Sequence, residues 1–413
     1  MPLRRRELLR NGLALVADAG LAGDAGSPAP IEPRGDGVTD DTRALADFVA
    51  HHVARGLRVV RLRANAVYLT DELAIPDDME CEGNGARIER RINRPYPLVT
   101  VGKRGAVRNL VVNGRMDVLG ARGGGLRMTG IALDDHATAE DCESYQNARH
   151  NISNKSVVEN LKYRGIRIIR CRVHHGGANP AADGSGDGDG INLTNVSDFL
   201  ILDCESHDNG RSDMVVTTYD PAREGPDSNL TTGGRIDRLK AGGGAYAGAE
   251  VNFEYANGIK LTNSTLSGAT VIFAHSDDVV VENVHAAAIY STTGNRPTVL
   301  NCRITNASRS SDLLVLNGES PTVRNVEVSS TAVVKTGNAA TVMPADRKGH
   351  VDNLRVDGAN NGIRIDVDNF SRLSVTNARN VEIRIGRPGR SLNATSAQVP
   401  ERRDGRTNLA GAD

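Results

Sequence analysis

The chain has 413 residues, with 50 Lys and Arg against 51 Asp and Glu, a formal net charge of −1 and 39% hydrophobic residues. That balance supports a large core and excludes nucleic acid as the main partner, because phosphate binding needs a basic surface. No stretch approaches the ~18 consecutive apolar residues of a transmembrane segment, and the absence of Trp, with 3% aromatics, counts against deep aromatic sugar platforms.

Residues 1–33 form an N-terminal segment. Arg4-Arg5-Arg6-Glu7-Leu8-Leu9, the apolar run Leu13–Ala17 and the small residues after it resemble a twin-arginine export signal, although Asp18 cuts the run short. The alternative reading is an amphipathic helix leading into a Gly/Ala/Pro linker. Residues 34–99 follow as a cap with the first coils. Gly35-Asp36-Gly37 marks a turn, and Thr39 is placed to cap a helix with Asp40 and Asp41 in its first turn. Leu45, Phe48, Val49 and Val53 then share one helical face.

From residue 100 to 385 a drifting repeat takes over. Short β-branched runs flank an Asn or Asp at Val107–Val112, Ala139–Cys142, Ile168–Val173, Leu200–Cys204, Val279–Val284, Val299–Ile304, Val323–Val328 and Val351–Val356. Second strands such as 190–193, 258–261 and 362–365 lie between them. A single coil of this kind cannot bury its own apolar face, whereas stacked coils share one core. The spacing predicts about ten to twelve coils, with strands pairing to the coils above and below at about 4.8 Å. The recurring Asn suits a tight αL bend and can bond along a ladder. The five Cys show no metal spacing, and three of them recur at equivalent repeat positions (Cys142, Cys171 and Cys204), which reads as small buried side chains. Residues 386–413 are polar and aperiodic and read as a flexible tail.

Gly-Asp-Gly-Val-Thr-Asp-Asp-Thr, the helix after it and the strands at Val59–Leu62 and Val67–Thr70 resemble the N-terminal cap of pectate-lyase-like right-handed parallel β-helices, which include polygalacturonase-type glycoside hydrolases, polysaccharide lyases and phage tailspikes. The resemblance implies an all-β, single-stranded right-handed parallel β-helix with an N-terminal capping helix. It also implies a polysaccharide or cell-surface glycan as partner, an extracellular, cell-surface or virion-associated location, and a homotrimer if the tailspike likeness extends that far.

Chemistry is expected at two acid-rich turns. Asp189 and Asp213 are 24 residues apart, about one coil, and equivalent positions in neighbouring coils approach within about 5 Å. Two such carboxylates would split their pKa values and supply an acid and a base for glycoside hydrolysis, with Asp187 and Asp208 as further catalytic candidates. The stretch resembles the polygalacturonase Asp turns at Asp187-Gly188-Asp189-Gly190 and Ser212-Asp213, and the Arg-Ile-Lys motif loosely at Gly258-Ile259-Lys260. It departs at Gly233-Gly234-Arg235, where the family's Gly-His-Gly would carry His. His175, His207, Arg211, Arg235, Tyr246 and Lys260 are the candidate substrate-binding residues. A hydrolase of this kind requires no cofactor. A lyase would instead need a uronic carboxylate neutralised by Ca²⁺ or Arg. Asp183, Ser185 and Asp187 imitate the start of a Ca²⁺ loop, but Thr194 stands where its closing Glu belongs. A non-catalytic glycan-binding or tailspike-like protein is the remaining reading. Two long excursions, 178–189 and 217–244, flank the Asp pair and favour a cleft there.

Overall fold

A computed structural model describes residues 32–94, 96–119, 128–155, 162–177, 188–218, 231–242, 250–306, 312–330, 338–344, 346, 348–385, 392–394, 397–398 and 406–411. The twin-arginine-like segment, Asp183, Asp187 and Tyr246 lie outside them.

Short strands stack in parallel into three long ladders, one per side of a parallel β-helix. Sheet II shows the repeat most plainly. Val107, Ala139, Ile168, Ile201, Ile236, Leu261, Val281, Val299, Val323 and Val351 stand in one register column, and all belong to the buried core. Their neighbours along each strand point outward, as strand alternation requires. Each fully buried Val, Ile or Leu contributes roughly 1.5–3 kcal/mol relative to exposure, so a column of them favours coil on coil. Coils range from the 18 residues between Val280 and Thr298 to the 35 between Leu200 and Arg235. Lys260–Thr262, expected as a second strand, belongs to sheet II, paired with Arg235–Asp237.

Sheet I follows sheet II after a single bent residue. Asn109, Asp141, Arg170, Asp203, Arg238, Asn263, Asn283, Asn301, Asn325 and Asn353 all have φ between 49° and 55°, so one residue per coil turns the chain through left-handed backbone. The amides bond along the axis: Asn283 Nδ2 donates to Asn263 Oδ1 at 3.1 Å, and Asn325 and Asn353 donate to Asn301 and Asn325 at 3.0 Å. Where the ladder is ionic, Arg170 forks onto Asp141 (2.7 and 2.8 Å) and Arg238 onto Asp203 (2.5 and 2.8 Å). Directly after this bend, Cys142, Cys171, Cys204 and Cys302 are buried and free, as is Cys81 elsewhere in the core. Burial raises the Cys171 thiol well above its usual range and the Cys204 thiol to about 11.

Sheet III completes each coil, with Ile131, Ile152, Ile191, Met214, Val251, Val271 and Ile289 in register along its inner side. A fourth, short ladder joins Tyr163–Arg164, Val196–Ser197, Thr231–Thr232 and Ala256–Asn257.

At the N-terminal end a helix, Thr42–Ala54, packs against Val59–Arg61 and Leu73–Ile75 with Leu45 and Val49 buried. It starts later than expected. Thr39 remains in the strand Asp36–Asp40, and Asp41 is the N-cap residue. Asp40 Oδ1 instead accepts from the Thr42 amide and hydroxyl (3.0 and 2.6 Å), while the buried Asp41 accepts from the Arg34 and Gly35 amides (2.7 and 2.9 Å). Val53 is 46% exposed rather than packed. Within the stretch read as a tail, Leu392–Ala394 continues sheet I in parallel, and Arg406–Gly411 pairs antiparallel with the last sheet III strand.

Candidate functional site

Three sheet III coils build the site. Ile152 pairs with Ile191 and Ile191 with Met214. Counting back from these residues aligns His150, Asp189 and Ser212 in one column and Asn151, Gly190 and Asp213 in the next. The expected partners Asp189 and Asp213 are therefore one residue out of register. In a strand that shift changes the face of the wall a side chain meets.

Asp213 faces inward, into a buried polar box at the corner between sheets I and III. Asn147 Nδ2 donates to Asn151 Oδ1 (2.8 Å), Asn151 Nδ2 to Asn209 Oδ1 (3.0 Å) and Asn209 Nδ2 to Asp213 Oδ1 (3.1 Å). Ser144 and Ser206 accept from Asn147 and Asn209 (3.1 Å each). The coil between places glycine at both positions that match the asparagines and Asp213. A Cβ on Gly190 would lie 2.2 Å from Ser206 Oγ, and one on Gly176 would lie 2.6 Å from Asn151 Nδ2. These two glycines leave the space through which asparagines two coils apart meet. Asp213 is 1% exposed; burial pushes its pKa up to about 6, against the Asn209 bond, the Gly242 amide and His207, which favour the carboxylate.

Asp189 faces the other way. Its Oδ2 accepts from Asn192 Nδ2 at 2.7 Å and lies 3.3 Å from His150 Nδ1, and its Oδ1 lies 3.9 Å from Arg211 Nε. Asn192 sits between the core residues Ile191 and Leu193, so it points outward, and Thr194 Oγ1 donates to it (3.1 Å). Asp189 and His150 are 0% and 2% exposed. Among the described residues neither ring nitrogen of His150 finds a hydrogen-bond partner, and burial, with Arg149 and Arg211 nearby, pushes its pKa well below the usual histidine range. The imidazole is thus neutral, beside a buried carboxylate. Arg211 is the member that meets solvent, its side chain 42% exposed.

Ala132, Ser153, Asn192 and Val215 form the outward face of sheet III beside this cluster, and all are buried. Insertions leave the coils along both edges of that face. Residues 178–187 depart and return at Gly177 and Gly188, where a Cβ on Gly177 would lie 2.3 Å from Gly188 Cα. Residues 219–230 depart and return at Thr218 and Thr231, where the Thr231 amide donates to Thr218 Oγ1 (3.2 Å).

The other expected site residues lie on different walls. His207 and Asp208 are on the outer side of sheet I, with His207 Nδ1 2.7 Å from Asp208 Oδ2. His207 stacks on His174 (5.2 Å) and His174 on Tyr145 (5.1 Å), while His175 Nδ1 is 2.7 Å from His174 Nδ1. Arg235 and Lys260 are register partners on the outer side of sheet II, and Arg235 is tied to Asp237 at 3.1 Å. Of the expected set, among the described residues, the structure brings only Arg211 to Asp189, and it adds His150, Arg149 and Asn192 there. A sequence signal existed for Arg149. Ser144-x-x-Asn147-x-Arg149-x-Asn151 and Ser206-x-x-Asn209-x-Arg211-x-Asp213 are one pattern, which equates Asp213 with Asn151 and Arg211 with Arg149. Among the described residues no group of three or more His, Cys, Asp or Glu side chains is arranged to hold a metal ion, and no helix is long and apolar enough to cross a membrane.

No family model and no curated protein matches the sequence. Solved structures do match in fold. The A-module of Azotobacter vinelandii mannuronan C-5 epimerase AlgE4 is 14% identical, with a TM-score of 0.55 over 87% of this chain and 97% of that one. The AlgE6 A-module is 13% identical, with a TM-score of 0.54 over 89% and 97%. The N-terminal fragment of bacteriophage phi29 gene product 12 is 14% identical, with a TM-score of 0.62 over 88% and 70%. The fold is that of a parallel β-helix.

Proposed function

We propose that the chain is a polysaccharide-modifying enzyme that removes a proton beside the carboxylate of a uronic acid unit, at the cluster of His150, Asp189 and Arg211. The observation that carries this reading is the buried, neutral imidazole with both nitrogens unpartnered, 3.3 Å from a buried carboxylate. Leaving such a group unsatisfied is costly, and it makes sense where a proton is to be received. The C–H bond beside the sugar carboxylate breaks, its electron pair delocalises into that carboxylate, and the proton passes to His150. Asp189 stabilises the imidazolium that forms, and Arg211 stabilises the doubly charged enolate. Delivery of a solvent proton to the opposite face, with His150 releasing its own proton to solvent, gives epimerisation; expulsion of the 4-O-substituent, which leaves with a proton as the C4–C5 double bond forms, gives lyase cleavage. The geometry favours proton transfer over hydrolysis across Asp189 and Asp213, because those carboxylates belong to separate networks on opposite sides of one wall. The epimerase A-modules among the structural neighbours support the same substrate class. A surface or virion-associated setting suits it.

The test is incubation with acidic polysaccharides in D₂O. Deuterium at the carbon beside the carboxylate, or ultraviolet-absorbing unsaturated ends, is expected from the native chain and lost in His150→Ala and Asp189→Asn. New reducing ends without either signal would indicate hydrolysis and overturn the reading.

A further inference from the structure

Tyr145, His174 and His207 are register partners on consecutive coils of sheet I and stand on its outer side. The His174 ring lies between the other two and nearly parallel to both, 10° from Tyr145 and 8° from His207, so its plane is held. Its Nε2 lies 3.0 Å from Glu143 Oε1. A carboxylate only accepts, so Nε2 carries the proton and Nδ1 carries the lone pair. That lone pair meets His175 Nδ1 at 2.7 Å. His175 is exposed and stands on left-handed backbone, with φ at 51°. With no metal bound, its Nδ1–H donates to His174. Once the His175 proton moves to Nε2, two lone pairs are offered from neighbouring nitrogens.

We propose that His174 Nδ1 and His175 Nδ1 chelate a divalent transition-metal ion of tetragonal preference, Cu(II) ahead of Ni(II), with water in the remaining positions. The spacing selects the class. An ion with bonds of about 2.0 Å holds two nitrogens about 2.8 Å apart at a right angle and about 3.3 Å apart at a tetrahedral one. Among the described residues no third His, Cys, Asp or Glu is placed to join the pair, and imidazole sites follow the order that puts Cu(II) highest. Glu143, on the far nitrogen, does what such carboxylates do for a ligating imidazole: it fixes the tautomer and the ring orientation. Burial holds the His174 pKa below the usual histidine range, against the pull of Glu143, and a metal requires the neutral ring. Glu143, Glu205 and Asp208 lie around the stack with Arg172, an acidic balance that favours a dication. The adjacent pair His51 and His52 on the capping helix does not match. Its rings are 6.3 Å apart, and His52 Nδ1 is 2.9 Å from the Phe48 carbonyl oxygen. The site is independent of the proton transfer proposed at His150, which lies on another wall.

The test is titration of the chelator-treated full chain with Cu(II), Ni(II) and Zn(II), followed by calorimetry and, for Cu(II), by electron paramagnetic resonance. One equivalent of Cu(II) is expected, with a spectrum showing two equatorial nitrogens and an affinity at least about tenfold above that for Zn(II). His174→Ala and His175→Gly should each abolish the two-nitrogen spectrum, and Glu143→Gln should weaken binding about tenfold. The paired His51→Ala, His52→Ala variant should bind as the native chain does. Thermal melts without metal establish folding. Glycine suits the left-handed backbone at position 175, so His175→Gly alone decides the matter if His174→Ala fails to fold. Zn(II) binding as tightly as Cu(II), a two-nitrogen spectrum that survives His175→Gly, its loss in the helix variant, or no saturable Cu(II) binding would each overturn the assignment.

Discussion

Asp213 takes in its coil the place Asn151 holds two coils earlier, accepting from Asn209 as Asn151 accepts from Asn147. Its folded pKa of about 6 is raised from an ordinary 3.8, so the native state prefers the neutral acid. The associated stability is fully present below about pH 4 and is lost as pH rises through about 6, an effect on the order of 3 kcal/mol. Asp213→Asn should remove that loss, melting higher than the native chain near neutral pH and similarly near pH 4, with activity retained; urea unfolding at both pH values checks it. An inactive but stable variant would return Asp213 to the chemistry. Gly190→Ala should act oppositely. Its methyl would strike Ser206 and Asn209, and a loss of roughly 2–4 kcal/mol is expected in the same assay.

The bend between sheets II and I was legible at the level of elements because Asn recurs there and tolerates αL backbone. Arg170 and Arg238 occupy the same bend and were not legible, since nothing local in Arg marks it for that conformation; the carboxylates of the preceding coils hold them. Asn325 both donates and accepts along the ladder. Asn325→Ala should therefore cost more than Asn325→Gly, by about 1 kcal/mol, because only the alanine carries the left-handed penalty; thermal melts of the pair decide this. The register of the acid turns was the part that sequence spacing could not supply. An insertion of ten residues between Gly177 and Gly188 hides which residue of that coil faces outward, and a one-residue error exchanges wall for groove. His150 went unnoticed for a related reason: a lone histidine carries no signal until the backbone sets it against Asp189.

The whole molecule is a stack in which each coil touches mainly its neighbours, so stability is distributed along the axis. Hydrogen exchange should show the strongest protection in the coils between Ile131 and Ile304, whose inner columns are unbroken on all three sheets, with the end coils opening first. Uniform protection from end to end would mean that the stack opens as a single unit instead. The composition allowed such a solenoid and the repeats located it, but the position of the proposed site depended on which edges carry the insertions, a property of the assembled stack.

The last described strand, Arg406–Gly411, runs opposite to the rung it joins. Any segment grafted after Gly411 would set out in the wrong direction to keep winding, so the spiral is not extensible from that side by simple addition. An engineer seeking a longer track would have to splice new turns into the interior, where every rung already points the same way.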